Sequence, residues 1–100
     1  MSGPILEVAI LQVKAGMNEQ FEQSFRQASR IISGMNGYIG HELQKCIEKD
    51  NQYVLLVSWE TLEDHTIGFR GSQQYDEWKS LLHRYYDPFP TVEHYTRIRL

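Results

Sequence analysis

The sequence predicts an α+β domain in which four antiparallel strands form one sheet and helices pack on one of its faces. Three observations predict it. Residues 38–47 and 52–60 read as strands, and the polar turn formers Glu48-Lys49-Asp50-Asn51 join them as a hairpin. A long helical periodicity precedes this hairpin, and an interrupted one follows it. Further strand patterns open and close the chain.

In residues 5–13, Ile5, Ala9, Leu11 and Val13 lie on one face and Leu6, Val8 and Ile10 on the other. A strand apolar on both faces is expected to be covered on both. Lys14-Ala15-Gly16 ends it. Met17, Phe21, Phe25, Ala28, Ile32 and Met35 then step by three or four, the spacing of one helical face, and Gly34 with Gly37 stops the helix. In the hairpin, Ile39, His41, Leu43 and Lys45 are expected opposite in direction to Tyr38, Gly40, Glu42 and Gln44. The second hairpin strand sets Tyr53, Leu55, Val57 and Trp59 against Val54, Leu56 and Ser58, as a central strand would. Thr61 can cap a short helix, with Asp64 three residues on, that carries Leu62, His65 and Phe69 on its apolar side. After Gly71, Ser72 caps a second piece whose stripe is Tyr75, Trp78, Leu82 and Tyr85, and Asp87-Pro88-Phe89-Pro90 ends it. Residues 91–100 form a last strand with Val92, His94, Thr96 and Ile98 on one side. This order is that of a ferredoxin-like β-α-β-β-α-β fold.

One hundred residues, 41% of them hydrophobic, suit a single domain spanning 1–100. Helices cover one sheet face, so the apolar side chains on the other predict a homodimer in which two sheets close into a barrel. A net charge of −3 without a basic stripe argues against nucleic acid. The start Met1-Ser2-Gly3-Pro4 lacks the pattern of a signal peptide, and no apolar run is long enough to span a bilayer. The single cysteine, Cys46, suits a reducing compartment, so a cytoplasmic protein is expected.

The opening strand with Lys14-Ala15-Gly16, the long helix with Phe21, Ser58-Trp59-Glu60 followed by Glu63-Asp64-His65, and the closing Val92-Glu93-His94-Tyr95 resemble the antibiotic biosynthesis monooxygenase family. The resemblance covers roughly residues 5 to 99 and implies a dimeric α+β barrel. It also implies oxygen chemistry without flavin, haem or metal on a small quinol or polyphenol held between sheet and helices. Such chemistry needs a base to ionise the substrate hydroxyl and donors to hold a peroxide. Haem-degrading relatives of the same superfamily use an asparagine, a tryptophan and a histidine. The corresponding places here carry Ala9, Gly68 or Phe69, and Trp78, which argues against that activity.

Under this reading His65 is the proton acceptor and Trp59 a donor or pocket wall, each set against an ordinary structural role in the core. Phe69, His41 and His94 are candidate substrate contacts; the two strand histidines face either solvent or the barrel interior. Histidines at 41, 65, 83 and 94 have no metal-ligand spacing, so neither a metal nor another cofactor is expected. Two other readings use the same fold: a non-catalytic barrel binding a small hydrophobic ligand, and an isomerase of a small carbonyl metabolite.

Overall fold

In the computed structural model, which describes residues 4–100, the sheet order is β2-β3-β1-β4. The strands are β1 (Ile5–Gln12), β2 (Tyr38–Lys45), β3 (Gln52–Trp59) and β4 (Val92–Thr96). All neighbours are antiparallel, so the ferredoxin-like fold predicted from the sequence is the one observed. The signal-peptide reading of the first three residues lies outside the described part of the chain. Among the described residues no helix is long and apolar enough to cross a membrane.

The two helices α1 (Asn18–Ile32) and α2 (Gln73–Leu82) pack together on one sheet face. Phe21, Phe25, Ala28 and Ile32 of α1, with Trp78 and Leu82 of α2, bury against Ala9, Leu11, Tyr53, Leu55, Val57 and Trp59. Ser72 caps α2 as expected, its hydroxyl accepting from the Tyr75 N–H at 3.1 Å. A 3-10 turn, His83–Tyr85, follows, and Val13 bridges Tyr86, tying the end of this helical region to β1.

Three local features depart from the sequence pattern. First, Tyr38 lies opposite Trp59 and Gly40 opposite Ser58, so Ile39 is the extra residue of a β-bulge. The bulge turns Tyr38 onto the helix-covered face with His41 and leaves Ile39 52% exposed, reversing the sides expected for both. Second, the short helix is a π-helix, Asp64–Phe69, in which the Arg70 N–H bonds the His65 carbonyl at 3.1 Å. It buries His65 and Phe69 as expected, but Leu62 precedes it and is exposed. Third, β4 stops at Thr96, which pairs with Ile5. The next residue back along β1 is Pro4, which has no N–H to continue the ladder, so residues 97–100 are not strand.

The second sheet face carries Leu6, Val8, Val54 and Leu56 half-buried among their neighbours and Ile10 40% exposed. Among the described residues no helix covers it.

Gly16 and Gly37 both have positive φ, +79° and +81°. A Cβ on Gly16 would meet nothing within 4 Å, whereas one on Gly37 would collide with the Asp64 carboxylate. Gly37 thus admits the start of the π-helix against the entry to β2. Gly16→Ala is expected to cost about 1–2 kcal/mol from left-handed backbone alone, and Gly37→Ala more than that, as read from urea midpoints; equal costs would show that the Asp64 contact is readily relieved.

Candidate active site

Glu7 occupies the helix-covered face of β1, between Ile5 and Ala9, and is only 6% exposed. A carboxyl in such a place needs partners. The β1–β3 register sets Trp59 opposite Ile5, and the Trp59 Nε1–H donates to Glu7 Oε1 at 2.9 Å. The β1–β4 register sets His94 directly opposite Glu7. Between them His65 descends from the π-helix, 3% exposed, its ring stacked on Trp59 at 5.4 Å with an interplanar angle of 19°. Its Nε2 lies 3.4 Å from Glu7 Oε1 and its Nδ1 2.8 Å from His94 Nε2. The result is a chain of polar groups, Trp59–Glu7–His65–His94, supported by Phe69 against Trp59 and Trp78.

Burial pushes the Glu7 carboxyl above its ordinary value, against the lowering effects of the Trp59 hydrogen bond and the Arg70 charge. Burial pushes His65 down to about 3, with Arg70 and then His94 adding to the effect. His94 is lowered by burial and then by Arg70. A neutral His65 has one N–H and one lone pair, so the chain has two consistent states. Either the His65 Nε2–H faces a Glu7 carboxylate and Nδ1 accepts from His94, or Nδ1–H donates to His94 and the Nε2 lone pair faces a protonated Glu7. The two differ by proton shifts along the chain.

Glu7 also lines a cavity of about 330 Å³, together with Arg70, Tyr75, Trp78, Tyr86 and Phe89. The protein partners of Glu7, Trp59 and His65, both meet Oε1, and no buried side-chain oxygen among the described residues lacks a partner. Glu7 thus lines the cavity while its Oε1 is held by Trp59 and His65. Trp59, by contrast, is fully buried with its N–H committed to Glu7, so it serves the carboxyl and is not a donor to a ligand. His65, His94 and Phe69 stand behind the cavity wall and do not line it. His41 is elsewhere: it bonds the Tyr38 hydroxyl on β2 and packs near Phe25, apart from the other two histidines. Among the described residues no group of three or more His, Cys, Asp or Glu is arranged to hold a metal ion.

The family model for antibiotic biosynthesis monooxygenases matches residues 4–81. The chain belongs to this family. It is 63% identical over 91 residues to the uncharacterized protein YczJ of Bacillus subtilis (strain 168), spanning 91% of this chain and 96% of that one. Among solved structures, a candidate antibiotic biosynthesis monooxygenase from Bordetella bronchiseptica superposes with a TM-score of 0.93 at 32% identity, over 97% of this chain and 99% of the other. SnoaB of Streptomyces nogalater, a cofactor-independent oxygenase, has the same fold, with a TM-score of 0.76 at 20% identity over 99% and 97% of the two chains.

In this antibiotic biosynthesis monooxygenase family member, four of the residues singled out in the sequence, His65, Trp59, His94 and Phe69, lie together and His41 lies apart, while Glu7 at the centre of the cluster was not among them. The signal was available: a carboxylate in register with Ile5, Ala9, Leu11 and Val13 on an otherwise apolar strand face.

The cluster predicts an acid-sensitive fold. His65 protonates near 6.5 when unfolded and near 3 when folded, so between those values the unfolded chain binds more protons and stability falls with falling pH. Glu7 has the opposite sign, because its raised value makes the folded form bind more protons above its ordinary 4.5. Glu7 opposes His65 just above 4.5 and its contribution fades below that value, so the His65 effect dominates as the pH falls toward 3. In that window the wild type is expected to lose stability more steeply than His65→Gln, by up to about 1.4 kcal/mol per pH unit, measured from urea midpoints against pH. Parallel slopes would contradict a neutral buried His65.

Proposed function

We propose that the protein is a cofactor-independent monooxygenase that oxidises a small phenol or quinol with O2 in the cavity beside Glu7. The observation that supports it best is the Glu7 carboxyl, made more basic by burial and backed by a neutral imidazole on the wall of an aromatic-lined cavity. Family membership supports the reaction class, and the description of SnoaB as a cofactor-independent oxygenase supports the absence of a cofactor.

The Glu7 carboxylate takes the proton of the substrate hydroxyl, and the phenolate delivers its electron density to O2 through a ring carbon that bears hydrogen. One-electron transfer followed by radical recombination forms a C–O bond and a peroxide anion, which Glu7 reprotonates. Loss of the C–H proton to Glu7 then expels hydroxide, breaking the O–O bond. One oxygen atom stays in the quinonoid product, and the other leaves with both substrate hydrogens as water, so no external reductant is required. His65 positions Glu7 and exchanges the proton with it, while the stacked Trp59 fixes both.

The uncovered sheet face supports a second copy of the chain as its partner. Burying Leu6, Val8, Ile10, Val54 and Leu56 against their equivalents would contribute roughly 1.5–3 kcal/mol for each large side chain fully buried. The free thiol of Cys46 is in keeping with a cytoplasmic location.

Oxygen uptake by metal-stripped, flavin-free protein is expected with some member of a phenol and quinol panel. Glu7→Gln is expected to reduce kcat by roughly 10²–10⁴-fold with folding retained, and His65→Gln by less. Uptake by neither the wild type nor any variant across the panel would overturn the reading, and unimpaired turnover in Glu7→Gln would remove Glu7 as the base. Sedimentation is expected to show a dimer that Val8→Asp dissociates; a stable wild-type monomer would exclude the barrel.

A further inference from the structure

The cavity holds a cation that the reaction scheme leaves unused. Arg70 follows the last residue of the π-helix, and its N–H closes the wide turn on the His65 carbonyl. At the ordinary 3.6 residues per turn, positions three and four apart share a helix face. The wider turn brings the fifth residue round as well, so Arg70 leaves the π-helix beside buried His65 and Phe69 while itself staying exposed at the cavity. Its charge acts on Glu7, His65 and His94 together, and it stands with Glu7 on the cavity wall. Yet among the described residues it has no carboxylate partner: the salt bridges there join His65 to Glu7 and Lys79 to Asp76.

The other walls restrict what meets this guanidinium. Tyr75, Trp78, Tyr86 and Phe89 present aromatic surfaces. The other titratable groups lining the cavity are Glu7, His83, Tyr75 and Tyr86; His83 is lowered by burial and by Lys79 and so disposed to be neutral, and burial and then Tyr75 raise Tyr86, which keeps its hydroxyl protonated. A flat ring, an ionisable hydroxyl near Glu7 and an anionic group on Arg70 would satisfy all three surfaces. A guanidinium offers two parallel donors, the geometry a carboxylate accepts. We propose that the site takes an aromatic hydroxy acid, with Arg70 binding its carboxylate while the ring hydroxyl lies toward Glu7.

This inference uses the same cavity as the proposed oxygenase but requires no turnover. Binding is measured by calorimetry for hydroxybenzoates and hydroxynaphthoates, each beside its neutral methyl ester, on wild type, Arg70→Gln and Arg70→Lys. At least one acid is expected to bind about 10- to 100-fold more tightly than its ester. Arg70→Gln is expected to abolish that preference without changing ester affinity or the circular dichroism spectrum, and Arg70→Lys to restore it in part. Esters binding as tightly as acids, a preference that survives Arg70→Gln, or no binding by any acid would each overturn the proposal. Oxidation of neutral phenols with no binding of acids would overturn this inference alone, whereas bound acids without oxygen uptake would count against the oxygenase alone.

Discussion

The hydrogen bond from Trp59 to Glu7 links a strand register to a chemical group. A carboxyl on the covered face of a central strand is tolerable only where desolvation is offset by a donor, and the antiparallel pairing of β1 with β3 supplies one. Slipping that pairing by one residue would turn Trp59 to the other face and leave Glu7 buried without its donor. The same indole gives His65 a surface to stack on, so one side chain fixes both titrating groups. The π-helix, the bulge beside Tyr38 and the glycine under Asp64 then bring His65 to that surface.

Periodicity made the architecture legible because each element has one face that must be buried. The alternation in β3 and the three-four spacing in α1 appear in the sequence with nearly the boundaries they have in the molecule. Features that interrupt a period were not legible. A bulge adds one residue without changing composition, so Tyr38 and Ile39 exchange sides. A π-turn pairs residues five apart, so the Arg70 N–H meets the His65 carbonyl where an ordinary helix would pair residues four apart.

The candidate site was legible in part for a related reason. His65 and Trp59 lie close together in the chain, at a junction that draws attention. Glu7 and His94 meet them only through the order β3-β1-β4, which joins residues 52 and 87 positions apart along the chain. Glu7 also looks, in a list of residues, like one of thirteen acidic side chains, and only its place in the alternation of β1 sets it apart. Charge and burial have to be considered together to single it out. A polar cluster of this kind costs stability relative to a well-packed apolar one, which marks the positions where function and packing compete.

The cavity is assembled from two sources with different constraints. Its acidic wall belongs to the central strand, where Glu7 is held by register and by the packed core around Trp59 and Phe69. Its aromatic wall comes from α2 and the segment through Phe89; the backbone of that segment is tied to the end of β1 and the residues after it by the Val13–Tyr86 bridge and the bonds from Lys14 to Tyr85 and from Asp87 to Gln12. Exchanges at Phe89, which packs on His83 and Tyr86, can therefore reshape the chamber without touching the side chains around Glu7. One wall is thus set by the sheet and the other by helix and loop side chains, so one hundred residues can present different chambers beside the same buried carboxyl.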